Sequence, residues 1–231
     1  MKVSAFTSKM VLVGALGVLS MATTASADDA AMLRSETRHM ATLATSQGSA
    51  KVQGSLVTQF SGFAGSEANA QSLVTGLRSG APVTLTSPST TGSTTTTTAF
   101  TFDPPTRPMG YGNVFISLAL AKQQLANYGI TDPTAQEIQA ALTGGAITTG
   151  SGATAQTITL KGILTQRADG MGWGAIAKAQ GMNLGRVVSG LKSANQQVAA
   201  STISGVAAGS GTQTQTQTTT NTTAAQHRSP N

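Results

Sequence analysis

The sequence predicts a mainly α protein with two short β-hairpins, closing on a C-terminal tri-helical, helix-turn-helix-like unit. Three observations predict it. Apolar residues recur at helical spacing in several windows, two pairs of short alternating segments flank turn-rich stretches, and three glycine-separated amphipathic segments fill residues 160–192. Only 10% of the 231 residues are charged and 4% aromatic, so Thr, Ser, Gln and Gly carry the polarity, while an apolar fraction of 39% permits a modest core.

The chain opens as an export signal. Lys2 and Lys9 form a positive start, Met10 to Met21 is nearly all apolar, and Ala25-Ser26-Ala27 is an A-x-A cleavage site. The apolar run is short of the ~20 residues a spanning helix needs, so a cleaved leader over residues 1–27 is expected rather than an anchor. Its removal takes away two lysines and lowers the formal net charge from +6 to +4. The remaining basic residues are spread singly from Arg34 to Arg228 and form no dense cluster.

A helical N-terminal segment with the first strand is expected over 28–86. Val52, Leu56, Phe60 and Phe63 make one helical stripe, and Ala70, Leu73, Val74 and Leu77 another after a Ser66 cap, with Gly65 and Gly80 as stops. Pro82 to Thr86 and Ala99 to Phe102 alternate as hairpin strands around a Thr/Ser-rich stretch, 87–98, read as a mobile loop for want of apolar surface. An α-rich domain then spans 99–193. Asp103-Pro104-Pro105 and Pro108 hold the chain extended up to Gly110-Tyr111-Gly112. From Asn113 to Gly129, Val114, Leu118, Ala121 and Leu125 form the best helical stripe. Asp132 as cap and Pro133 in the first position start a helix carrying Ala135, Ile138 and Leu142, and Ile147 to Thr149 with Thr157 to Leu160 form the second hairpin. The Gln/Thr-rich remainder, 194–231, reads as a disordered tail.

The one sharp motif lies in the tri-helical stretch. Ala177, Gly181 and Val187 have helix-turn-helix spacing: a small residue where helices cross, a glycine in the turn and an aliphatic residue that docks the second helix. This places Asn183, Arg186, Ser189 and Lys192 on a recognition helix, with Arg186 and Lys192 available to phosphate or guanine, and Lys178 and Lys161 able to widen the patch. The export signal opposes a nucleic-acid partner, and three short amphipathic helices also pack this way for structural reasons alone. Two further matches are chance. G-x-G-x-x-A at 170–175 lacks the preceding strand of a dinucleotide site, and S-x-x-K at 189–192 lacks the partner motifs of penicillin-recognising enzymes. Trp173, the only tryptophan, has two readings: a core plug beside Met171, Ile176 and Met182, or a ring for a flat ligand approaching between glycines.

Phe102-Asp-Pro-Pro-Thr-Arg-Pro-Met-Gly-Tyr-Gly-Asn-Val114, Ala141-Leu-Thr-Gly-Gly145 and Arg167-Ala-Asp-Gly-Met-Gly-Trp-Gly-Ala-Ile-Ala177 resemble a family of uncharacterised exported proteins of proteobacteria, over roughly residues 50–193. The resemblance implies a bacterial host and an extracytoplasmic location, periplasmic or extracellular. It carries over no catalytic residue.

Absent cysteine and only two histidines, His39 and His227, exclude disulfide frameworks, thiol catalysis and most zinc sites, so no metal or cofactor is expected. The acids (Asp28, Asp29, Glu36, Glu67, Asp103, Asp132, Glu137 and Asp169) show no spacing that pairs two carboxylates on one apolar helix face. An envelope-polymer hydrolase would need a spatial triad built through His39. A non-enzymatic exported binding or structural protein requires less. Its expected partner is an envelope polymer or another exported protein, with Trp173, Asn183, Arg186 and Lys192 as the candidate binding residues.

Overall fold

The computed structural model describes residues 27–91, 94–150 and 154–209. Residues 1–26 of the expected leader and 210–231 of the expected tail lie outside the described residues. The element order is α1 (Ala27–Ser46), α2 (Ser49–Ala64), α3 (Glu67–Ser79), β1 (Val83–Thr91), β2 (Thr94–Phe102), α4 (Tyr111–Asn127), α5 (Ala135–Thr143), β3 (Gly145–Thr149), β4 (Gln156–Leu160), α6 (Ile163–Ala168), α7 (Trp173–Ala179) and α8 (Leu184–Gly209). The protein is thus mainly helical with two antiparallel hairpins, β1–β2 and β3–β4. Among the described residues, no helix is long and apolar enough to cross a membrane.

α4 is the central helix. Val114, Phe115, Ile116, Leu118, Leu120, Ala121 and Leu125 are all buried, so it is apolar around most of its circumference and must be wrapped by other helices. α1, α3, α5 and α8 pack on it. Phe115 meets Phe60 of α2 edge to face, with ring centroids 5.4 Å apart. At Gly112 an added Cβ would lie 2.7 Å from Thr37 Cγ2 and 2.9 Å from Thr37 Cα, so only glycine lets the start of α4 sit against α1. One hydrophobic core runs from Leu33 to Val198.

Five expectations change. α1 stands where no separate helix was expected: Leu33, Met40 and Leu43 are buried along it, but Thr37 interrupts their stripe. α8 extends to Gly209 and so crosses the expected boundary at 193/194. Leu191, Ala194 and Val198 continue its buried stripe, and α1 packs along it. Asn195, fully buried, donates from Nδ2 to the Glu36 carbonyl (3.0 Å) and to Glu36 Oε2 (2.8 Å), tying the two helices together.

Within the Thr/Ser-rich stretch 87–98, residues 87–91 and 94–98 are strand rather than loop, and 92–93 lie outside the described residues. The β1–β2 register runs without interruption from Val83↔Phe102 to Thr91↔Thr94. Threonine is β-branched and suits a pleated ladder, and Pro88 is tolerated because each strand of a two-stranded sheet has a free edge. The base of the ladder is clamped by Asn69, whose Nδ2 donates to the Ala64 (2.9 Å) and Thr86 (2.8 Å) carbonyls while its Oδ1 accepts from Thr86 N–H (2.8 Å).

Thr134, not Asp132, caps α5: its Oγ1 accepts from Glu137 N–H (3.3 Å), and Glu137 Oε2 accepts from Thr134 N–H (2.8 Å). This reciprocal box satisfies two donors where Asp132 with Pro133 would satisfy one. Finally, α4 begins at Tyr111, two residues before Asn113.

The three C-terminal helices have the expected glycine turn. Gly181 adopts φ +65°, a left-handed conformation suited to glycine, and Met182 N–H donates to the Ala177 carbonyl at 2.8 Å to close α7. Ala177 and Val187 are buried.

Candidate functional site

Four chain segments converge at one end of the bundle. The 103–110 segment is extended by its prolines and anchored at its end, where Met109 N–H donates to the Leu77 carbonyl (3.2 Å) and Arg78 Nη1 donates to the Met109 carbonyl (3.2 Å). Arg78 also lies over the Tyr111 ring, 5.0 Å from its centroid. These contacts fix the backbone beside the exposed Arg107. On α1, Arg34 and Arg38 are four residues apart and both exposed, a like-charge pair that costs an isolated helix about 0.2–0.5 kcal/mol.

Between α1, the start of α4 and the α6–α7 turn lies a cavity of about 570 Å³, lined by Arg34, Thr37, Arg38, Asn113, Arg167 and Trp173 among others. A second cavity of about 480 Å³ is lined by the 105–110 segment, Asn113, Arg167, Ala168 and Gly170. Asn113 and Arg167 line both, so the two are lobes of one cleft. No Asp, Glu or His lines either lobe. Among the described residues, none of the guanidinium groups of Arg34, Arg38, Arg107 and Arg167 has a carboxylate within ion-pair distance.

The wall between the lobes is rigid. Arg167 stacks over the Trp173 ring with its guanidinium carbon 5.0 Å from the ring centroid, and its Nη1 donates to the Met171 carbonyl at 2.8 Å. The Trp173 indole N–H donates to Asn113 Oδ1 at 3.1 Å. The ring itself is buried at 9% exposure and is packed into the core. Trp173 is therefore a support for Arg167 rather than an open stacking platform.

The other three sequence-predicted residues lie away from this cleft. Asn183 Oδ1 accepts from Arg186 N–H (3.1 Å) and caps α8. Arg186 and Lys192 face outward while Val187, Val188 and Leu191 are buried. Arg186 borders a smaller cavity of about 380 Å³ with Phe60, Phe115 and Lys122, and neither Trp173 nor Lys192 lines it. The first turn of α8, which would enter a DNA groove, faces the Asp29 carboxylate: an added Cβ at Gly185 would lie 3.8 Å from both of its oxygens.

His39, half-exposed, sits 3.8 Å from Glu36 on the same helix, and His227 is outside the described residues. Among those residues, no group of three or more His, Asp or Glu comes together to hold a metal ion.

Sequence reasoning missed Arg34, Arg38, Arg107, Asn113 and Arg167. The last three stand inside the two glycine-rich motifs, 102–114 and 167–177, and that was their only signal. No family model, no curated protein and no solved structure matches the chain.

Proposed function

We propose that this chain is a non-enzymatic, exported bacterial binding protein that holds an anionic group of an envelope polymer in the arginine-lined cleft between α1, the 103–110 segment and the α6–α7 turn. The observation that carries this reading is the convergence of Arg34, Arg38 and Arg167 on one cavity whose lining contains no carboxylate. Guanidinium forks match carboxylate and phosphate oxygens in geometry, and charge-assisted hydrogen bonds of this kind are the strong ones. The lining supplies cations and amide donors but no general base, which fits retention of a ligand rather than its cleavage. The exported location rests on the leader-like N-terminus and on the family resemblance.

The recognition-helix alternative draws less support. Its first turn lies beside a carboxylate, which repels phosphate, and its cap uses the side-chain oxygen of Asn183.

The test uses the single tryptophan. Because Trp173 lies under Arg167, its emission should change when an anion engages the guanidinium. A titration with an acidic oligosaccharide should quench or shift it, and a neutral oligosaccharide of equal length should not. Arg167→Ala should weaken the acidic ligand about tenfold or more, as expected for loss of a charged hydrogen-bond donor. Equal affinity for the neutral and acidic sugars would refute the proposal.

A further inference from the structure

The two-lobed shape says more about the ligand than the charge alone. Each lobe has its own cations, Arg34 and Arg38 in the larger and Arg107 in the smaller, and Arg167 serves both. At about 570 and 480 Å³, each is within the range of small-molecule sites. The partition is held by the Met171 carbonyl, the Trp173 ring and the Asn113 amide in sequence, so Arg167 is already fixed before a ligand arrives. With Oδ1 of Asn113 accepting from the indole, its Nδ2 hydrogens remain for a ligand hydroxyl.

Resting on the anion-site reading above, the geometry points to a linear acidic polysaccharide, carrying negative charge on successive sugars, that crosses the Arg167 wall and places one charge in each lobe. A chain occupying both lobes gains over a single acidic sugar because the second charge is delivered at high effective concentration once the first is bound. A nucleic acid is the poorer fit. Bases need an aromatic face to stack on, and the one tryptophan of the cleft is buried with its face under Arg167.

The experiment is a calorimetric titration of the chain with galacturonic acid, its dimer and its tetramer. Single-stranded oligonucleotides matched in charge to the tetramer, and neutral glucan oligomers, run alongside. The expected result is a rise in affinity of at least tenfold from monomer to tetramer, with the neutral glucans inert. Arg107→Ala should abolish most of the length gain. Arg34→Ala with Arg38→Ala should weaken every acidic ligand, and Lys192→Ala should leave all affinities unchanged. Circular dichroism melting of each variant confirms that the fold is kept.

A monomer that binds as tightly as the tetramer would overturn the two-lobe inference and leave the anion site standing. An oligonucleotide that binds more tightly than the tetramer would overturn the identification of a glycan. Failure of every acidic ligand would overturn the inference together with the anion site it rests on.

Discussion

The protein presents two cationic regions, and they are built in opposite ways. On α8, Arg186 and Lys192 project from an outward helix face whose opposite side packs on the core. Elsewhere, Arg34, Arg38, Arg107 and Arg167 come from three separate segments and line two adjoining cavities. Long side chains on an open face keep their rotamer freedom and their hydration, so they contribute little to holding a specific ligand. Arg167 has been ordered in advance by the Met171 carbonyl and the Trp173 ring. Convergence and preorganisation, rather than the number of charges, distinguish the two regions.

The largest effect expected from breaking this contrast is at Trp173. Trp173→Ala should cost about 3–5 kcal/mol in chemical denaturation, as large aromatic deletions from cores do, and should release Arg167 from its stack. Trp173→Phe sharpens the point. It keeps a ring under Arg167 but loses the bond to Asn113 Oδ1, so anion affinity should fall by more than stability does, as read by titration beside a denaturant melt.

Next in size is Gly112→Ala. The new methyl would meet the Thr37 side chain and backbone, so α1 must shift away from α4 at a cost of about 1–3 kcal/mol. The larger lobe is formed between these two helices and should lose affinity in the same titration, while the α8 face is untouched. Arg34→Ala with Arg38→Ala should cut acidic-ligand affinity about tenfold or more and leave the melting midpoint unchanged or slightly raised, since the like-charge pair is gone. Arg186→Ala with Lys192→Ala should have the smallest effect: stability within about 0.5 kcal/mol of the parent, as for surface substitutions generally, and no change in acidic-ligand affinity.

What was legible in the sequence follows the same division. The helices α2, α3 and α4 announce themselves because Val52, Leu56 and Phe60, then Leu73 and Leu77, then Val114, Leu118 and Leu125 repeat at helical spacing and form dense apolar stripes. α1 does not. Its buried residues Leu33, Met40 and Leu43 are sparse, and their partner is α8, more than 140 residues away. The same omission misplaced the end of α8, since Ala194 and Val198 look superfluous until α1 is there to cover them.

The Thr-rich strands were obscured by composition. Low apolar content argues for disorder, but the ladder hydrogen bonds and the Asn69 clamp are supplied by the backbone and by a side chain from another element. At α5 the capping box of Thr134 and Glu137 was present in the sequence beside the competing Asp132-Pro133 signal, and the arrangement with two reciprocal bonds prevailed.

The cleft was hidden for a different reason. Periodicity reports which residues share one face of one helix, and Arg186 with Lys192 satisfied it. No local pattern reports that Arg34, Arg107 and Arg167 meet in space. Trp173 was singled out for its rarity, and the structure places it at the cleft, but in a supporting role.

In the proposed binding mode, ligand anions are held at the Arg167–Trp173–Asn113 wall and not on the α8 face. The most direct measurement is a nuclear magnetic resonance titration of the isotope-labelled chain with an acidic tetrasaccharide, following the Trp173 indole N–H and the arginine Nε–H signals. Progressive shifts are expected at Trp173 and Arg167, with smaller ones at Arg34, Arg38 and Arg107, while Arg186 stays still. Shifts confined to Arg186 and its α8 neighbours, with the Trp173 indole unmoved, would contradict this binding mode.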